Sequence, residues 1–158
     1  MSLLDLKIEY QWEPFIFEGS HLTFQSLPPR LLETKCSHTG PAVHRWEGNV
    51  TNGPYAGKTG VLIGETKNLL DRIRQYKNGT QQFGSSWWRE NFLTKGDIYL
   101  DDLALRGGRL VIQDKNIPIV PDALMLESFR LVLEKFPILQ ERLLASDESQ
   151  IWLVNKEK

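Results

Sequence analysis

The chain has 158 residues, of which 41% are hydrophobic, 25% charged and 10% aromatic. This composition is typical of one globular domain and excludes a disordered chain, a collagen-like repeat and a coiled coil. No apolar stretch approaches the roughly 20 residues that a membrane-spanning helix needs, and no signal-peptide pattern follows Met1. The single cysteine, Cys36, excludes an internal disulfide. We therefore expect a cytoplasmic protein without a membrane partner.

The net charge of −1 is unevenly distributed along the chain. Residues 58–117 contain ten Lys or Arg and seven Asp or Glu, whereas residues 1–57 contain four and six, and residues 118–158 contain five and seven. Phosphate binding requires a local positive surface rather than a basic protein as a whole. The distribution is compatible with a nucleic acid bound by the middle of the chain.

The first part of the chain shows the alternation of short strands. Apolar and polar residues alternate over residues 8–12, 15–17 and 21–25, and two prolines at 28–29 end the pattern. We predict that residues 1–40 form a β-rich N-terminal extension and that residues 41–158 form one domain.

From residue 42 the pattern becomes regular. Residues 42–46 and 60–64 are predicted to form an antiparallel pair of strands. Thr66 can cap the following helix, Lys67 to Lys77, whose apolar residues gather on one side.

The second half of the chain continues with mixed elements. We predict a loop and short helix over 84–92, a strand at 97–103, and a hairpin at Gly107-Gly108. A helix is expected from residue 121 to 136, where Pro137 ends it. A short helix at 139–145 and a strand at 151–154 follow. This order predicts an α+β fold with a small central antiparallel sheet flanked by helices.

Two motifs and one arginine carry a resemblance to a known family. Ala42-Val43-His44 and Leu62-Ile63-Gly64 lie at the first two predicted strands, and Arg72 follows Gly64 by eight residues. This arrangement resembles the GIY-YIG nucleases, whose strands end in Gly-Ile/Val-Tyr and Tyr-Ile/Val-Gly and precede a helix with an arginine at that distance. The resemblance covers about residues 41–133 and implies a GIY-YIG-like fold and a divalent-metal-dependent DNA endonuclease.

The resemblance assigns roles to several residues. Arg72 would bind the scissile phosphate, because a guanidinium matches phosphate oxygens in shape and charge. Tyr76 follows by four residues and so lies beside it on the helix. His44 occupies the position of the family's first tyrosine and is a candidate general base, as is a nearby tyrosine.

The resemblance also implies a glutamate on a later helix that holds one Mg²⁺ or Mn²⁺, and Glu127 is the candidate. On a helical wheel Glu127 shares a narrow stripe with Arg130 and Glu134. One interpretation is a solvated edge with an ion pair between Glu127 and Arg130. The other, which the resemblance favours, is a stripe that faces the cleft beside Arg72, with Glu127 on the metal.

Other residues are candidates for contact with DNA. Trp87 and Trp88 could stack on bases, although one of two adjacent tryptophans commonly belongs to a core. Basic side chains on the same part of the chain could contact phosphates. The candidates are Lys58, Arg74, Lys77 and Arg89.

Three functional interpretations remain open at this point: an active endonuclease, an inactive GIY-YIG-like module that binds nucleic acid or protein, and an unrelated α+β domain. Glu65-Thr66-Lys67 matches half of another nuclease motif, but no aspartate lies between Asp5 and Glu65. No P-loop or dinucleotide fingerprint is present, so no small-molecule cofactor is expected. A homodimer is compatible with the sequence.

Overall fold

The structure is a computed structural model that describes residues 3–51, 53–78, 92, 97–144 and 151–155. These residues form eight strands and two α-helices, with short 3-10 turns at Phe24–Ser26, Glu33–Lys35 and Pro121–Met125. The elements, in chain order, are β1 (Leu4–Pro14), β2 (Ile16–Phe17), β3 (Ser20–His21), β4 (Ala42–Asn49), β5 (Thr59–Thr66), α1 (Leu69–Asn78), β6 (Ile98–Ile112), β7 (Lys115–Ile119), α2 (Glu127–Leu144) and β8 (Ile151–Leu153).

The central sheet has the strand order β1-β6-β4-β5-β8, and β7 also pairs with β6. Its pairs are antiparallel except for β5 with β8, which is parallel. β1 pairs with β6 along Leu4–Pro14. The region predicted as an extension therefore supplies an edge strand of the central sheet, and the domain boundary at residue 40 stays a prediction.

Side chains of a strand alternate between the two faces of a sheet, and each helix packs against the side chains of a different face. On one face α1 buries four side chains in a cluster with Trp46 and Leu100. On the other face Leu133 of α2 is buried with Val43 and Leu103. The α+β class predicted from the sequence is confirmed by this arrangement.

Helix α1 begins two residues later than predicted. The side chain of Asn68 accepts a hydrogen bond from the Asp71 backbone N–H at 3.0 Å, so Asn68 caps the helix. Thr66 instead exchanges hydrogen bonds with the backbone of Asn68. The three apolar residues predicted on one side are buried, as expected: Leu69, Leu70 and Ile73.

The hairpin predicted at Gly107-Gly108 is wrong, because both glycines lie inside β6. A Cβ on Gly108 would lie 2.1 Å from the Lys7 carbonyl oxygen, so glycine there permits the close approach of β1. The register shifts opposite Glu9 and Tyr10, which leaves an extra residue on β6. The chain reverses later, at Gln113, whose φ is +54°.

The end predicted at Pro137 is also wrong. A single helix, α2, runs through Pro137, which is buried. The first residues of the predicted helix, Pro121–Met125, form a 3-10 turn instead. A proline inside a helix removes one backbone hydrogen bond, and here its ring packs within the protein. The strand predicted near the C-terminus is confirmed as β8. In the part of the chain that the structure describes, neither helix is long and apolar enough to cross a bilayer.

Candidate active site

His44 lies on β4, with Gly64 of β5 and Asp102 of β6 as its cross-strand neighbours. Its side chain is fully buried, and neither ring nitrogen has a hydrogen-bond partner among the described residues. A Cβ on Gly64 would lie 2.9 Å from His44 Cε1 and 3.0 Å from Nε2. The absence of a Cβ at position 64 therefore leaves the space that the imidazole occupies.

The charge state of His44 follows from its surroundings. Burial and, second, the Arg72 guanidinium lower the pKa of His44 to about 3. The side chain is therefore neutral at pH 7, and one ring nitrogen keeps a lone pair that can accept a proton or a hydrogen bond.

Arg72 and Tyr76 lie above His44 on α1. The Arg72 guanidinium donates a hydrogen bond to the Tyr76 hydroxyl. The Tyr76 ring contacts His44 and Trp46 edge-to-face, with centroid distances of 5.8 Å and 5.7 Å. Tyr76 is buried and Arg72 is partly exposed. The helical spacing of four residues thus brings together two residues that the sequence analysis paired.

The Tyr76 hydroxyl is also influenced by the charge of an acid on α2. Burial raises the pKa of Tyr76 to about 12, Arg72 opposes the shift, and the Glu134 carboxylate adds to it. Tyr76 is therefore protonated at neutral pH, which makes it a hydrogen-bonding group rather than a base. Glu134, with 17% of its side chain exposed, is therefore the acid of α2 whose charge acts on Tyr76.

Glu127, the predicted metal ligand, is exposed at the first residue of α2. It precedes Glu134 by two helical turns, which is roughly 10 Å along the axis. Its role on a metal stays a prediction, and Glu134 is the member of the same stripe whose charge acts on Tyr76. The wheel gave both residues the same orientation, so only the position of α2 over the sheet distinguishes them.

The middle residue of that stripe, Arg130, has a structural partner. Its side chain is 4% exposed, and Nε donates to the Glu65 carboxylate at 3.2 Å. A second hydrogen bond runs from Nη1 to the Leu124 carbonyl oxygen at 2.8 Å. The alternative of an ion pair between Glu127 and Arg130 on a solvated edge is therefore wrong, because Arg130 is buried and binds β5.

Asp102 is a residue near the site that the sequence analysis missed. It neighbours His44 across β4 and β6, and its alternation with the buried Leu100 places it on the face of α1. Burial raises the pKa of Asp102 to about 6; His38 opposes this shift, and Glu13 and Asp101 add to it. The sequence signal that could have identified Asp102 is its spacing of two residues from an apolar strand residue, which predicts that it lies on the same buried face.

The other candidates for contact with DNA lie away from His44 or form contacts within the chain. Lys58 lies at the far end of the β4–β5 pair from His44, next to Thr59. Arg74 pairs with Asp71 at 3.1 Å and donates to the Leu31 carbonyl oxygen at 3.2 Å. Lys77 donates to the Pro28 carbonyl oxygen at 2.6 Å.

The contacts with DNA that the sequence suggests for these basic residues stay predictions. The tryptophans and the arginine of the predicted loop and short helix lie outside the described residues: Trp87, Trp88 and Arg89.

The site contains few metal-binding groups. Among residues 3–51, 53–78, 97–144 and 151–155, no three His, Cys, Asp or Glu side chains converge to hold a metal ion. Magnesium commonly keeps several waters and takes one or two carboxylates. Glu127 and the partly buried Glu134 are the two acids of the predicted stripe on α2 that could supply such a ligand.

The comparisons with protein-family models, with curated proteins and with solved structures gave no match. The chemistry of the site itself therefore has to indicate what the protein does.

Proposed function

We propose that the chain is a divalent-metal-dependent endonuclease that hydrolyses phosphodiester bonds of DNA. The observation that carries the proposal is the cluster of His44, Arg72 and Tyr76 from β4 and α1, with the Glu134 carboxylate of α2 acting electrostatically on Tyr76. A cation, a neutral imidazole, a phenol and a carboxylate are the groups that phosphodiester hydrolysis uses.

The order of elements supports the same proposal. β4, β5, α1, β6 and α2 follow one another as strand, strand, helix, strand and helix. This is the order in which the GIY-YIG resemblance places its motifs, with His44 and Gly64 facing each other on paired strands.

In the proposed reaction a water oxygen attacks phosphorus, the bond to the leaving oxygen breaks, and a proton leaves the water. Arg72 stabilises the negative charge that grows on the phosphate oxygens. Tyr76 holds the guanidinium through their hydrogen bond. The resemblance makes His44 the candidate proton acceptor; it is neutral at pH 7, and its pKa of about 3 makes it a weak base. A magnesium ion bound at Glu134 would orient the phosphate and neutralise charge on the leaving oxygen.

The complete burial of His44 favours a second candidate function. A general base must come within hydrogen-bonding distance of the proton that it removes, and a buried ring does so only after a rearrangement. A module that binds the nucleic-acid backbone through Arg72, without cleavage, needs no such access.

The experiment that tests the proposal is cleavage of supercoiled plasmid with Mg²⁺, with Mn²⁺ and with a chelator. We expect metal-dependent nicking that Arg72→Ala and Glu134→Gln each reduce by at least about 100-fold. Arg109→Ala removes an exposed cation on β6 and serves as the charge-matched control. Glu127→Gln is measured alongside, because the acid whose replacement abolishes metal-dependent cleavage is the one that holds the metal.

The outcomes separate the two functions. Binding of labelled DNA that depends on Arg72, with no cleavage under any metal, would establish the module. If the protein neither cleaves DNA nor binds it through Arg72, both functions are ruled out.

A further inference from the structure

The outer edge of β1 is the starting point for a second inference, which does not depend on nuclease activity. β1 has 11 residues and ends the central sheet, so within the described part of the chain its outer edge pairs with no strand. Two of its apolar side chains are exposed, Leu4 at 68% and Leu6 at 37%. A long edge strand with exposed apolar residues is a template for pairing with another chain.

An apolar groove accompanies this edge. It encloses about 500 Å³ between β1 and the second half of α2. Ile8 and Tyr10 line it from the strand, and Phe136, Leu139 and Leu143 line it from the helix. Leu143 is 76% exposed. Monomeric proteins seldom expose an apolar patch of this continuity without a binding role.

We propose that a second copy of the chain covers this surface, with the two β1 strands paired antiparallel about a two-fold axis at Ile8. In that register Ile8 lies opposite Ile8 of the second copy, Leu6 opposite Tyr10, and Lys7 opposite Glu9. Lys7 and Glu9 pair with each other within the strand at 3.0 Å, on the face away from the groove, and their side chains are 59% and 55% exposed, so both can also reach a second copy. Each strand thus offers the other a complementary charge.

Other registers are less favourable. An axis at Lys7 or at Glu9 places like charges opposite each other, which destabilises a strand pair. A shift by one residue puts the apolar face of one strand on the charged face of the other. An axis at Tyr10 brings Pro14, which has no N–H, into the ladder. An axis at Leu6 pairs the strand only from Leu4 to Ile8.

The same axis makes the two grooves continuous and places the two α2 helices side by side on one face of a joined sheet. Leu139 and Leu143 are then covered by their counterparts. The contact is about 30 Å long and, with its sheet and helix layers, about 20 Å deep. It buries on the order of 1,200 Å² in total, the lower end of the range for stable interfaces. An isologous contact of this kind closes after two copies.

Sedimentation velocity of the full chain from about 1 µM to about 100 µM tests the dimer, since its population depends on concentration. We expect a dimer that Lys7→Glu and Glu9→Lys each weaken by at least about tenfold, through like charges across the axis. The double variant restores opposite charges and is expected to recover the dimer. Leu143→Glu is expected to dissociate it.

Lys115→Glu makes the same charge change on the exposed β7 and is expected to leave the dimer intact. Circular dichroism of each variant establishes that it is folded. A chain that stays monomeric at every concentration overturns the proposal. So does a dimer that neither single charge change weakens, and so does assembly that continues beyond two copies.

Discussion

The ionisation of His44 makes a prediction at the scale of single residues. Its pKa is about 3 in the folded protein and about 6.5 in an unfolded chain. Between these values only the unfolded state binds the proton, so His44 lowers the stability as pH falls from about 6.5 toward 3, by up to about 1.4 kcal/mol per pH unit. Asp102 acts with the opposite sign, because its folded pKa of about 6 lies above its ordinary value of 3.8.

The contributions of the two residues to the pH dependence of the free energy of unfolding therefore partly cancel between about pH 4 and pH 6. His44→Gln removes one contribution, and the stability of this variant relative to the natural protein is expected to rise as the pH falls through that window. Asp102→Asn is the complementary control and is expected to lose stability relative to the natural protein over the same range. Urea unfolding at several pH values measures both. Parallel stability curves for His44→Gln and the natural protein would contradict the assignment.

Gly64 gives a second prediction at this scale. Gly64→Ala places a Cβ 2.9 Å from His44 Cε1, and the fully buried ring has little room to move. We expect a loss of about 1–3 kcal/mol in the free energy of unfolding, the usual cost of overpacking. Gly40→Ala is the matched control, because its Cβ would meet its nearest neighbour at 4.0 Å. Equal stability of the two variants would show that His44 adapts freely.

At the scale of elements, the buried pair between Glu65 and Arg130 attaches α2 to β5. Glu65→Gln leaves the Arg130 cation, 4% exposed, without its carboxylate. Removing one member of a buried pair costs about 3–5 kcal/mol, and we expect a value at the lower end because Glu65 is 17% exposed.

Asp71→Asn is the control for this change, since it breaks the pair with Arg74 on the exposed side of α1. Such surface pairs contribute about 0–1 kcal/mol. Chemical denaturation of the two variants compares them directly, and similar losses would refute a special role for Arg130.

The elements also show how far sequence patterns reach. Alternation and helical spacing predicted the strands around His44 and Gly64 and the adjacency of Arg72 and Tyr76, because these are local properties of a strand and a helix. The role of Gly108 depends on how closely β1 approaches it, and the burial of Pro137 depends on how α2 lies over the sheet. Both are tertiary facts, so the local rules for turns and helix ends failed there.

The same limit applies to the two acids of α2. A helical wheel gives Glu127 and Glu134 almost the same direction, and the sequence offered no means of choosing between them. Their distances from α1 depend on where α2 crosses the sheet, and that position is set in part by the Arg130–Glu65 pair. The candidate site was therefore predictable within α1 but not where a second helix approaches it.

At the scale of the whole molecule, β8 and the residues that follow it pair with β5, the strand that precedes α1. β8 runs parallel to β5, and Asn155 accepts a hydrogen bond from the Ile63 N–H at 2.8 Å and donates one to the Ile63 carbonyl oxygen at 2.7 Å. One side chain thus satisfies both backbone groups of Ile63 on the edge of β5. Ile63 itself is buried against α2.

Asn155→Ala removes both bonds and leaves two part-buried backbone groups unsatisfied, so we expect a loss of about 1–3 kcal/mol in the free energy of unfolding. Asn155→Asp keeps the acceptor for the Ile63 N–H but has no donor for the carbonyl oxygen, and its carboxylate faces that oxygen. It should therefore fall below the natural protein as well, with a loss that shrinks as the carboxyl becomes protonated at low pH. Hydrogen exchange of the Ile63 amide measures the same contact locally. Unchanged protection of that amide in Asn155→Ala would mean that β8 holds the edge of β5 without the side chain.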